Sequence, residues 1–116
     1  MANEQSNYKN VYLGIEFGST RIKAVAIDEK HIPVSSGDYT WKSSYENGIW
    51  TYDLAEVWTG LKIALAGVEE RESIQAMGIS AMMHGYLAFD KDWNLLTAFR
   101  TWQNTITAPA AAELTK

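Results

Sequence analysis

The sequence has no cysteine, so it can build neither a disulfide framework nor a thiolate site. It has no basic excess: 10 Lys and Arg stand against 14 Asp and Glu, a formal net charge of −4. That balance does not supply the positive face a nucleic-acid partner requires. No apolar run approaches the roughly 20 residues that cross a bilayer as a helix. Met1–Asn10 is polar and holds no apolar stretch of the secretory-signal kind. Internal repeats and low-complexity tracts are also missing, since Ala110-Ala111-Ala112 is too short to count. What remains is a 116-residue chain with 47% apolar and 21% charged residues, the composition of one ordinary globular domain. The expectation is a cytoplasmic protein without membrane or nucleic-acid partners.

Two apolar runs, Tyr12 to Phe17 and Ile22 to Ile27, are joined by a short Gly-Ser-Thr turn and predict a hairpin. Gly18 suits a positive φ or a close ligand approach, because no Cβ intervenes. Ser19 and Thr20 add hydroxyls beside backbone N–H groups, with Glu16 before the turn and Lys23 after it. Such a turn can hold a polyphosphate with its metal. The plainer reading is an ordinary hairpin with a polar tip, and spacing alone favours that one.

Met1–Asn10 reads as a loose leader, and residues 11–116 as the folded part. Asp28-Glu29-Lys30 supplies the next turn. His31 to Trp41 predicts a third strand, with Pro33 at its start or on a sheet edge because proline cannot donate to a ladder. Ser43 to Gly48 reads as a polar loop. Asp53 to Arg71 predicts a helix whose apolar stripe is Leu54, Val57, Trp58, Leu61, Ala64, Leu65 and Val68. Asp53 and Glu56 are spaced as a capping box, while Gly60 and Gly67 each weaken the helix by up to about 1 kcal/mol. Ser73 to Ser80 predicts a strand parallel to an earlier one, reached by a helical crossover. Tyr86 to Asp90 and Leu95 to Phe99 predict two short strands, and a last helix starts near Thr107 or Ala108, with Pro109 in its first turn. Of five tryptophans, Trp58 reads as core, Trp41 and Trp50 as loop packing, and Trp93 as exposed in a turn. The order predicts an α/β domain of ribonuclease-H type with a mixed five-stranded sheet and flanking helices, truncated within its last helix.

The run Gly14-Ile15-Glu16-Phe17-Gly18-Ser19-Thr20-x-x-Lys23 resembles the first phosphate motif of sugar kinases in the actin-like ATPase superfamily, G-I-D-x-G-T-[ST]-x-x-K. Gly78-Ile79-Ser80-Ala81-Met82-Met83-His84-Gly85 and Phe99 to Thr105 resemble the xylulokinase pattern G-I-x-x-Q-M-H-G, a hairpin, then P-x-I-L-W-x-D-x-R. Phe89-Asp90-x-x-x-x-Leu95-Leu96 and Ile49 to Trp58 are similar to two further stretches of that pattern. Together they resemble the N-terminal part of an FGGY carbohydrate kinase, xylulokinase-like, from Tyr12 onward.

The resemblance implies transfer of the ATP γ-phosphoryl to a sugar hydroxyl, with ATP and Mg²⁺ as cofactors. It implies Glu16, Gly18, Ser19, Thr20 and Lys23 toward the nucleotide, with Glu16 toward the metal. It implies Met83, His84, Trp102, Gln103 and Asn104 toward the sugar. The catalytic base and adenine site of such kinases lie later in the chain, and Asp28, Asp38, Asp53 and Asp90 match no catalytic position, so these 116 residues alone are expected to be inactive. Two departures stand out: Glu16 replaces the usual Asp, which bears on the metal contact, and Trp102-Gln103-Asn104-Thr105 replaces the common Trp-Asn-Asp, losing an acid near the sugar, which bears on the sugar's identity. The other reading is a non-catalytic actin-like or carbohydrate-binding module. A homo-oligomer is expected, because surface that further chain would cover is left open.

Overall fold

The computed structural model describes residues 8–116. The chain divides into two compact units: residues up to Trp41 together with Ala55–Met82, and Lys42–Leu54 together with Met83–Lys116.

The first unit is built on β1 (Val11–Phe17), β2 (Arg21–Ile27) and β3 (Pro33–Thr40), followed, after helix α1 (Leu54–Ala66), by β6 (Ile74–Ala81). These strands form one mixed sheet in the order β3-β2-β1-β6, with β1 and β2 antiparallel, β2 and β3 antiparallel, and β6 parallel to β1. The parallel partner reached through a helix is the expected crossover. Pro33 opens the edge strand β3, where its missing N–H costs no ladder bond. Alternation sorts β1 and β2: Val11, Leu13, Ile15, Ile22, Ala24 and Ala26 are buried, while Tyr12, Glu16, Arg21 and Lys23 are exposed.

Helix α1 is shorter than its apolar pattern predicts; of the expected stripe, Ala64 and Val68 are buried and Leu54, Val57, Leu61 and Leu65 half-buried, while Trp58 departs from it and Gly60 joins it. Its buried residues are Gly60 and Ala64, while Trp58 is 59% exposed and not core. The reason is close approach. A Cβ on Gly60 would lie 2.5 Å from the Tyr39 ring and 2.8 Å from Ile22 Cδ1, and one on Gly67 would lie 2.6 Å from Gly37 Cα. The helix and the turn that follows it therefore dock through small residues at 60, 64 and 67, and Gly60 within the helix and Gly67 just past its end are what let it reach the sheet. Glu56 accepts the Tyr39 hydroxyl at 3.0 Å. That bond, with burial, holds the Tyr39 phenol above its ordinary pKa. Ser35 donates to the buried Glu70 carboxylate and ties the chain beyond the helix back to β3. Of the expected leader, residues 1–7 lie outside the described residues. Tyr8 accepts from the Ser73 hydroxyl and Asn10 donates to Glu29.

The second unit contains β4 (Ser44–Glu46), β5 (Ile49–Tyr52) and β7 (Phe99–Arg100) in an antiparallel sheet ordered β4-β5-β7, and helix α2 (Ala108–Leu114). The expected single five-stranded sheet is thus a four-stranded and a three-stranded sheet. The predicted polar loop at Ser43 to Gly48 is a hairpin, turned by Asn47 and Gly48 at φ 53° and 79°. Asn-Gly is the pair such a two-residue turn favours, because both positions need positive φ. The two strands predicted at Tyr86 to Asp90 and Leu95 to Phe99 reduce to isolated bridges, Tyr86 with Arg100 and Phe89 with Leu95. Asp90 organises the turn between them: its carboxylate accepts the N–H groups of Asp92 and Asn94 and the Asn94 amide, and its own N–H donates to the Asn94 carbonyl. Trp93 at the turn has φ 65° and is exposed. Among the described residues no helix is long and apolar enough to cross a membrane.

Candidate functional site

Two cavities coincide with the two stretches that carry the motifs, one in each unit. The first, about 470 Å³, is lined in part by Gly14, Glu16, Lys23, Gly78 and Ser80. Strand register explains the grouping. Gly14 pairs with Gly78, Glu16 pairs with Lys23 on one side and Ser80 on the other, so two glycines make a floor beside an acid, a cation and a hydroxyl. The hairpin tip Gly18 to Thr20 closes β1 onto β2, with the Gly18 N–H donating to the Arg21 carbonyl at 2.8 Å. Gly18 is not in the left-handed region. A Cβ there would lie 3.1 Å from the Arg21 carbonyl oxygen, so tightness of the turn is what selects glycine. Ser19 and Thr20 are exposed at the tip.

Trp41 sets this tip, a role beyond the loop packing expected of it. It is 2% exposed, its indole N–H donates to the Gly18 carbonyl at 2.8 Å, and its backbone N–H donates to the Thr20 carbonyl at 3.0 Å. Both turn carbonyls are held on the tryptophan side. Among the described residues no cluster of three or more His, Asp or Glu could hold a metal by itself. A single carboxylate such as Glu16 suits Mg²⁺ that takes its other ligands from phosphates and water.

The second cavity, about 540 Å³, includes His84, Tyr86, Thr97, Arg100, Trp102 and Asn104 in its walls. Of the five residues expected at the sugar, it brings together His84, Trp102 and Asn104. Met83 is 71% exposed and not part of the wall. Gln103 also lies off the wall, its amide oxygen accepting from Ser43 at 3.0 Å. Asn104 has a structural duty: it accepts from the Trp50 N–H and donates to the carbonyls of Trp50 and Thr101, copying a strand partner. His84 adopts φ 65° just past the end of β6. Arg100 is the wall residue that motif reasoning passed over. Its signal was alternation, since Phe99 beside it is buried against the Tyr52 ring and the next side chain must face the other way.

The profile of the "FGGY family of carbohydrate kinases, N-terminal domain" matches residues 11–116. The chain belongs to this family. A xylulose kinase of Klebsiella pneumoniae is 26% identical over 99 residues, covering 81% of this chain and 20% of its own length. The FGGY chain thus spans about one fifth of the curated relative it matches. Among solved structures, a "xyloylose kinase" from Brucella ovis is similar with TM-score 0.82 and 29% identity, over 90% of this chain and 23% of that one. A glycerol kinase from Plasmodium falciparum has TM-score 0.78 at 19% identity, over 93% and 23%, a likeness of fold. These neighbours share the fold, and this FGGY chain is a mixed α/β structure with two sheets and two α-helices among the described residues.

Proposed function

We propose that this chain is the N-terminal part of an ATP-dependent carbohydrate kinase, which moves the γ-phosphoryl of ATP onto a hydroxyl of a xylulose-like pentulose or a related sugar. The observation that carries this reading is that both motif stretches of an FGGY chain border cavities: one with an acid, a cation and a glycine floor, the other with an indole, an imidazole and hydroxyls. Phosphoryl transfer is catalysed chiefly by positioning and by neutralising charge. Lys23 and the Gly18 to Thr20 tip would hold phosphate oxygens, with Trp41 keeping the turn carbonyls away from them. Glu16 would hold Mg²⁺, which when bound neutralises phosphate charge. Trp102 offers a flat face to the C–H side of a sugar, and His84 and Tyr86 offer hydrogen bonds to its hydroxyls.

The sugar-side walls contain no carboxylate to accept the hydroxyl proton. Asp28 and Asp90 are committed to their turns. The 116-residue chain by itself is therefore expected not to turn over sugars. That same lack is what favours a second reading, a carbohydrate-binding module without catalysis. The test is ADP release by the full-length protein with ATP, Mg²⁺ and a panel of pentuloses, hexuloses and polyols. A kinase turns over at least one sugar, and Glu16→Ala lowers kcat/KM roughly 100-fold, the scale of losing one aligned charge-stabilising group. A binding module shows no turnover and keeps its sugar affinity in that variant.

A further inference from the structure

Arg100 puts a permanent positive charge into the sugar-side cavity, and no acid in the walls balances it. The residue is half-buried in β7, and its main chain is committed by two hydrogen bonds with Tyr86. Among the described residues its side chain has one partner, the Thr97 hydroxyl, at 3.4 Å from Nη2. A guanidinium carries five N–H donors, so most of its capacity is left over. Neighbouring polar groups do not use it. The Asn104 amide is committed to Trp50 and Thr101, and the Thr101 hydroxyl to the Gln103 main chain and amide.

A half-buried guanidinium has lost part of its hydration and gains from a partner of opposite charge, which in a ligand cavity the ligand can supply. We infer that the sugar accepted here carries a carboxylate, as an aldonate, ketoaldonate or uronate does, and that Arg100 selects it by a two-point bond to that group. A carboxylate fits better than a phosphate ester, because one cation offsets one charge and the guanidinium fork matches two coplanar oxygens. The inference rests on the kinase reading for its reaction but on the cavity alone for its ligand.

The test is a panel in which each sugar acid is paired with its uncharged counterpart, an alcohol in place of the carboxylate, given with ATP and Mg²⁺ to the full-length protein. The expected result is that at least one acid exceeds its neutral counterpart about 10- to 100-fold in kcat/KM, the scale of a hydrogen bond to a charged group. Arg100→Gln should erase that preference through KM far more than through kcat, and Arg100→Lys should restore part of it. Ligand-induced thermal shifts with the same pairs provide a readout independent of turnover. Equal or better use of the neutral sugars, or a preference for a sugar phosphate, overturns the inference and leaves the kinase reading standing. Stabilisation by a sugar acid without turnover keeps the inference and removes the kinase reading. Neither turnover nor stabilisation by any acid removes both.

Discussion

Gly37 is where the packing of α1 on the sheet can be tested most sharply. A Cβ added there would lie 2.2 Å from the Ala64 carbonyl oxygen and 3.0 Å from Gly67 Cα, both main chain and unable to rotate away. Carbon and oxygen pack at about 3.5 Å, so the helix must move outward by more than about 1 Å. Rigid overpacking costs about 1–3 kcal/mol, and lifting α1 off Ile22 and Tyr39 adds lost dispersion contacts. Gly37 is not in the left-handed region, so the smaller freedom of alanine in the unfolded chain returns about 0.4–1 kcal/mol. The net expectation is a loss of about 2–3 kcal/mol. Gly78→Ala is the control: nothing lies within 4 Å of its Cβ, so it should be neutral or stabilise slightly. Urea unfolding followed by far-ultraviolet circular dichroism should therefore separate the two variants by roughly 1–2 M in midpoint. Equal midpoints would refute the argument that the helix docks backbone to backbone at Gly37 and Gly67.

Trp41→Phe keeps the ring but removes the indole donor to Gly18, so it should cost about 1 kcal/mol in unfolding free energy and weaken nucleotide binding to the full-length protein, measured by calorimetry. Asn104→Ala breaks three hydrogen bonds and leaves the Trp50 N–H without its partner, which predicts a loss of about 1–3 kcal/mol, read as a lower melting temperature. The N–H of Asn94, with its side-chain amide and the Asp92 N–H, holds the Asp90 carboxyl below its usual pKa. That contribution is present above the ordinary carboxylate range and disappears as pH falls through the lowered value. Amide exchange at Asp92 and Asn94 should then accelerate in acid, and Asp90→Asn should flatten that dependence. Strand β6 is an edge of eight residues without a charge or proline, and Met77 and Ile79 stand exposed on it. The isolated chain should self-associate through this edge in light scattering, and Ile79→Lys should suppress it.

Periodicity carried the first unit well, because the signals there are local. The alternation in β1 and β2, the turn at Asp28 and Pro33 at an edge each follow from adjacent residues. The Asn47-Gly48 hairpin was equally local but masked by the polarity of Ser43 to Glu46. The two short strands predicted around Asp90 pair as expected but only briefly: the Asp90 and Leu96 N–H groups bond across to the Asn94 and Ala88 carbonyls, which gives a single bridge, while Phe99 belongs to β7.

From the chain of residues alone one obtains the hairpin with its Glu16, Gly18 and Lys23, the helical crossover to β6 and the family. These depend on neighbours in sequence or on spacing. Tertiary structure alone decided that Gly60 joins Ala64 on the face α1 buries while Trp58 stays exposed, because that depends on how near β3 lies. It likewise decided that Asn104 is spent on Trp50, that Trp41 holds the Gly18 to Thr20 turn, and that Arg100 stands in a cavity with no acid in its walls. Each of these joins residues far apart along the chain, and a distant partner leaves no periodic trace in a sequence.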